Sequence, residues 1–253
     1  MIPILALVFV SLFLIIGGDR GVMSLMTLCG NLAIFSLSIL FMVMGFHPIV
    51  VTLIASTAIS SITLLYQNGK NIKSISALIA VVIIMLLLFI FTYIYGMQSH
   101  ISGLNEIEQR SDFAMYYSFN INVNMELVAI SMIIIGLIGA IMDTAIAVSS
   151  SIYEIHENNR HLAVDELFQS GITIGKDILG TTLNTLYFAY IGEALLLLLY
   201  MQQYHYSIVK LINSKAFLQD FMCIIFSAIG CVLIIPLSAF ITSHLIIETS
   251  IHS

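Results

Sequence analysis

Charge is what this sequence lacks. Of its 253 residues only 9% are charged against 60% apolar, and the mean hydropathy is +1.07. A soluble domain carries about 25% charged residues, so no water-facing surface can be built from this chain. Eight basic residues stand against fourteen acidic ones, a net charge of -6 with no basic run. That pattern excludes nucleic acid as a partner and excludes a polybasic lipid-binding tail. Cysteine is scarce as well. Cys29, Cys223 and Cys231 all lie inside apolar blocks, with no CxxC pair and no histidine at ligand spacing. They read as small packing residues, and no metal site is expected. HExxH, GxSxG and a phosphate-cradling glycine loop are all missing, so the expectation is a protein that is not an enzyme and holds no cofactor.

What is present is apolar sequence in blocks of about twenty residues, the length of a helix crossing a hydrocarbon core of about 30 Å. The alternating ten-residue segments of an outer-membrane barrel are not seen. The fold class is therefore all-α, a polytopic helical membrane protein and a single integral membrane domain over residues 1–253. Seven spans are predicted, at about 2–17, 22–45, 48–66, 74–97, 123–151, 178–202 and 219–247. The first block has no basic residue before it and no small-x-small site after it, and reads as a retained span. Gly45-Phe46-His47-Pro48 predicts a tight turn that makes spans two and three a helical hairpin.

Basic residues in the loops set orientation. With the N-terminus outside, Arg20, Lys70, Lys73, Arg160 and Lys176 face the cytoplasm and Arg110, Lys210 and Lys215 face outward, so N-out, C-in is favoured. Residues 98–123 read as an external loop with room for one short amphipathic helix. Residues 153–176 read as a cytoplasmic helix lying along the membrane.

An ionisable residue inside a bilayer costs several kcal/mol and is a functional-site hypothesis by default. Asp143 is the leading case. Gly136, Gly139, Ala140, Asp143, Thr144, Ala147, Ser150 and Ser151 recur at three- and four-residue steps as one stripe. Small residues let a neighbouring helix approach, so Asp143 is expected to face the bundle. A second cluster opens span six, where Asp177, Thr181, Asn184 and Tyr187 share a face, with Gly180 available for close packing. From helix rise, Thr181 and Asn184 reach about the depth of Asp143, and the two clusters are expected to meet.

Two readings of that meeting stand side by side. In one, hydroxyls, the Asn184 amide or Lys176 hold Asp143 as a packing device, because unsatisfied polar groups in hydrocarbon are costly. In the other, Asp143 takes up and releases a proton or cation, and the neutral partners Thr144, Thr181 and Asn184 serve either state without locking it charged. Lys176 and Asp177 also fit interface anchors. Glu193 lies on nearly the opposite side of span six from Asn184. The GxxxG at Gly171 to Gly175 fits helix approach.

These segments resemble the YibE/F family of bacterial membrane proteins. The resemblance is carried by residues 139–151 (GAIMDTAIAVSSS), 166–171 (ELFQSG) and 175–192 (GKDILGTTLNTLYFAYIG). It implies a shorter, YibF-type protein of the bacterial plasma membrane working beside a YibE-like partner or as a homo-oligomer. Asp143-Thr144, with Glu154 eleven residues after Asp143 and a span carrying Asp177 and Thr181 to Thr185, is also similar to consecutive spans of SecD/SecF and the wider RND group. That similarity implies an intramembrane acid in proton-driven transport. The chain lacks the large external domain of those proteins, so a partner would supply the rest. The expected function is a subunit of a transport or export system, and the alternative is a non-transporting scaffold or sensor subunit.

Overall fold

A bilayer interior offers no hydrogen-bond partners, so each spanning backbone must satisfy its own amides as a helix. The computed structural model describes residues 1–98, 124–203, 205 and 207–252, without the side chains of residues 97, 98, 125, 193, 196, 197, 200 and 250–252. Among those residues there are helices and turns and no strand. The helices are α1 (Ile2–Val43), α2 (Pro48–Ser61, continued by a π-helical turn over Ile62–Gln67), α3 (Ile72–Gln98), α4 (Met125–Asn158), α5 (Val164–Gln203), α6 (Ile208–Ile212) and α7 (Lys215–His252). Five described stretches are long and apolar enough to cross a membrane: Ile2–Val43, Pro48–Gln67, Ile72–Gly96, Glu126–Asn158 and Lys215–Thr249. The protein is an all-α polytopic membrane protein. The loop predicted over residues 98–123 lies outside the described residues.

α1 is broken at Gly18, whose φ of 52° and ψ of -136° suit glycine and strain any other residue. The break divides it into the two stretches predicted as spans one and two. A Cβ at Gly21 would collide with the Phe13 carbonyl, so the arms meet at a sharp bend. At the other end Gly45 takes φ 91° and Pro48 opens α2, forming the predicted hairpin. Asn31 Nδ2 donates to Thr63 Oγ1 at 2.9 Å and Gln67 Nε2 to Ser24 Oγ at 3.1 Å across it.

The core lies among α3, α4, α5 and α7, while α1 packs against α2 and its π-helical turn. On α4, Ile130, Ile134, Leu137, Ile141, Ala145, Val148 and Ile152 recur at three- and four-residue steps and are all buried, forming one apolar stripe. Glycines bring the other helices onto it. Gly230 of α7 sits against Ile141 and Leu88, Gly171 of α5 against Ile152 and Ala239, and Gly175 against Ile235. The GxxxG of α5 is thus a packing face.

The expected membrane-surface helix over 153–176 is not formed. α4 continues to Asn158 and α5 begins at Val164. Glu166 accepts the Ala163 backbone N–H at 3.0 Å and Asp165 shares the first turn, which is a helix-start signature placed well before span six was predicted to open. Lys176 and Asp177 are therefore twelve and thirteen residues into a 40-residue helix, about 18 Å from its start, and not at its end.

Candidate functional site

α4 carries Asp143 close to its midpoint, 18 residues from Met125 and 15 from Asn158, or about 27 and 22 Å. The neighbouring residues Met142 and Thr144 are buried, at 7% and 1% exposure, whereas Asp143 is exposed. Met132, Gly136, Gly139 and Asp143 are the exposed positions of this helix over its central turns, and their spacing of three and four puts them on one face. The expectation that Asp143 faces the bundle is thus corrected: the acid is exposed, while on the same small-residue stripe Thr144 is buried and Ala140, Ala147, Ser150 and Ser151 are half-buried. Among the described residues its carboxylate makes no hydrogen bond and no ion pair, with Lys176 or any other group.

Thr144 does not share that face. One residue along a helix is a turn of about 100°, and Thr144 Oγ1 points to α7, 3.7 Å from Cys231 Sγ and 2.9 Å from the Ala140 carbonyl. It anchors α4 and α7.

α5 runs antiparallel to α4, as its rungs show. Gly171 meets Ile152, and Tyr190 Oη lies near Gly136 and 2.9 Å from Cys223 Sγ. Asp143 is nine residues back from Ile152, and nine or ten residues on from Gly171 are Gly180 and Thr181. Equal rise along both helices sets the acid level with that turn. By this count the two clusters lie near one level along the bundle, and among the described residues no hydrogen bond joins them. Thr181 donates to the Ile178 carbonyl at 2.8 Å and Thr185 to that of Thr181 at 2.9 Å. Asp177, Gly180, Thr181, Asn184 and Tyr187 are all exposed. Among described side chains none from Lys176 to Leu199 is buried, so this half of α5 rides on the surface. The close approach expected at four small residues is divided: Gly136 packs against Cys223 and Tyr190 and Ala140 is half-buried, while Gly139 and Gly180 have nothing within 4 Å of where a Cβ would stand. Glu193 lies on α5 with its side chain outside those described.

The sequence reading missed a second feature. Ser76 of α3, Ser149 of α4 and Ser238 and Thr242 of α7 are all 0% exposed. Thr242 Oγ1 is 2.9 Å from Ser76 Oγ and 3.0 Å from Ser149 Oγ, Ser149 Oγ is 2.8 Å from Ser238 Oγ, and Ser238 Oγ reaches the Ala145 carbonyl at 3.1 Å. A hydroxyl has one proton to give. Ser76 donates to the Lys73 carbonyl at 3.0 Å and Ser238 to that of Ala145, so the protons of Thr242 and Ser149 are shared among the three hydroxyl contacts between them. Three helices are tied together by this one chain. No group of three or more His, Cys, Asp or Glu suited to a metal ion occurs among the described residues.

The profile of YibE/F-like proteins matches residues 5–248. The chain belongs to the YibE/F family. No curated protein and no solved structure matches it. In this YibE/F protein the acid-bearing face of α4 and the polar turn of α5 lie on one side and the buried hydroxyl chain on the other.

Proposed function

We propose that this chain is a subunit of a bacterial plasma-membrane transport or export system in which Asp143 takes up and releases a proton or cation. It is not an enzyme in this reading. The open face of α4 and α5 is covered by a helix of a YibE-like partner or of a second copy, and the N-terminus lies outside. One observation carries the reading: an exposed carboxyl, unpaired among the described residues, near the midpoint of a spanning helix. Facing hydrocarbon, an ionised aspartate costs at least ~2.5–3.5 kcal/mol. Such a group persists where protein or water meets it, or where its proton comes and goes. Thr181, level with it, and Asn184, about a turn further along, are neutral polar groups that suit either protonation state.

A hydrophobic carbodiimide attacks protonated carboxyls from the lipid phase, so the test is labelling in native membranes across pH with modification mapped by mass spectrometry. Asp143 is expected to label at acid pH and to lose labelling as pH rises, with Asp143→Asn unlabelled but assembled. A folded protein in which Asp143 resists the reagent at every pH overturns proton uptake at this site and leaves the scaffold reading, where the acid only fixes a partner helix.

A further inference from the structure

At the end of the bundle where α3 begins and α4 and α7 finish, a cavity of about 430 Å³ opens among Ile72, Tyr153, His156, Arg160, Ile246 and Thr249. It lies away from Asp143 and is independent of the role proposed for that acid. His156 is only 7% exposed and its Nδ1 is buried with no hydrogen-bond partner, a condition that native structures seldom leave uncompensated. Glu157, also on the cavity wall, takes one terminal nitrogen of Arg160 at 3.4 Å. The rest of the guanidinium stays free to bind, with the Arg160 side chain 73% exposed at the mouth. Lys73 Nζ, outside the cavity lining, stands 5.7 Å from the Tyr153 ring centroid, a second cation nearby. Ile72 and Ile246 supply an apolar side.

We propose that this cavity binds a phosphate group, carried either by an anionic phospholipid headgroup or by a free phosphate-bearing solute. A guanidinium offers phosphate a planar fork of N–H donors, an imidazole adds one more donor, and the nearby Lys73 ammonium adds to the positive field. Glu157 orients Arg160 without using up its five donors. The cavity opens where the helices end, at the level of lipid headgroups, and the two isoleucines suit the start of an acyl chain.

The test uses the full chain purified in detergent. Native mass spectrometry with added phosphatidylglycerol reads lipid retention, and phosphorus NMR line broadening of inorganic phosphate reads the free anion. Arg160→Gln removes the fork at an exposed position that folding does not need, His156→Gln removes the ring, and Lys70→Gln removes an exposed charge on the same face outside the cavity. Phosphatidylglycerol retained by the parent and by Lys70→Gln, but weakened about tenfold or more by Arg160→Gln and His156→Gln, supports the proposal with lipid as the source. Broadening of inorganic phosphate abolished by the same two variants supports it with a solute as the source. Binding of neither probe overturns it, and so does lipid retention weakened as much by Lys70→Gln as by Arg160→Gln, which is the behaviour of loosely held surface lipid.

Discussion

The buried hydroxyl chain invites a substitution whose effect can be worked out in advance. Thr242→Val keeps the side-chain shape and removes the central oxygen, which lies 2.9 Å from Ser76 and 3.0 Å from Ser149. Two interhelical hydrogen bonds go at once. Each is worth ~0.6 kcal/mol on average and rarely more than ~1.7 in a membrane protein, and the two serine hydroxyls stay buried with one partner fewer. The expected loss is about 1–3 kcal/mol. Ser243→Ala is the control, because Ser243 is equally buried but donates only to its own helix, at the Ala239 carbonyl. It should cost well under 1 kcal/mol, since the carbonyl it leaves is already in a helical ladder. Equilibrium unfolding of the purified protein in mixed micelles, followed by helical circular dichroism, reads both. If Thr242→Val and Ser243→Ala unfold at the same denaturant mole fraction, the chain does not tie the helices and the argument from interhelical bonding fails.

Other consequences can be checked in the same assay. A leucine at Gly171, where a Cβ already meets Ile152 and Ala239, should destabilise by at least ~1–3 kcal/mol through overpacking, whereas a leucine at Gly139, which has nothing within 4 Å, should leave the fold intact and disturb only association with a covering helix, read by crosslinking in membranes. Gly18→Ala should cost ~1–3 kcal/mol of backbone strain and loosen the bend of α1, visible as faster proteolysis between the two arms.

Much of the architecture was legible because the bilayer enforces it. Apolar block length signals spans, and Gly45 with Pro48 marks a hairpin whatever the rest of the chain does. The opening of α5 was misjudged for an equally physical reason. Residues 164–177 mix Asp165, Glu166, Lys176 and Asp177 with apolar positions, and hydropathy alone cannot separate a helix lying on a membrane from the end of one that continues through it. The deciding signals were the Glu166 bond to Ala163 and the pair Gly171 and Gly175, which admit Ile152 and Ile235. Packing glycines mark a helix that joins the bundle.

At the candidate site the spacing of small residues identified a face but not the neighbour that fills it. Gly136, Gly139 and Asp143 would recur at the same steps whether α5 or another chain covered them, and the structure sets Cys223 and Tyr190 against Gly136 but leaves Gly139 and Asp143 open. The hydroxyl chain escaped notice because a serine or threonine in a helix usually bonds back to its own carbonyl four residues earlier. Thr52 and Ser131 do this, to Pro48 and Leu127, while Ser149 and Thr242 bridge helices instead. Nothing local distinguishes the two kinds. Together the features give α4 two unlike sides. Toward α7 it is held by Thr144 at Cys231 and by Ser149 and Ala145 at Ser238 and Thr242, and away from them it presents Asp143. A helix fixed by several bonds on one side presents its other side at a defined angle and depth. The acid is therefore displayed by a well-tied support, which is what the proposed proton or cation uptake at Asp143 needs.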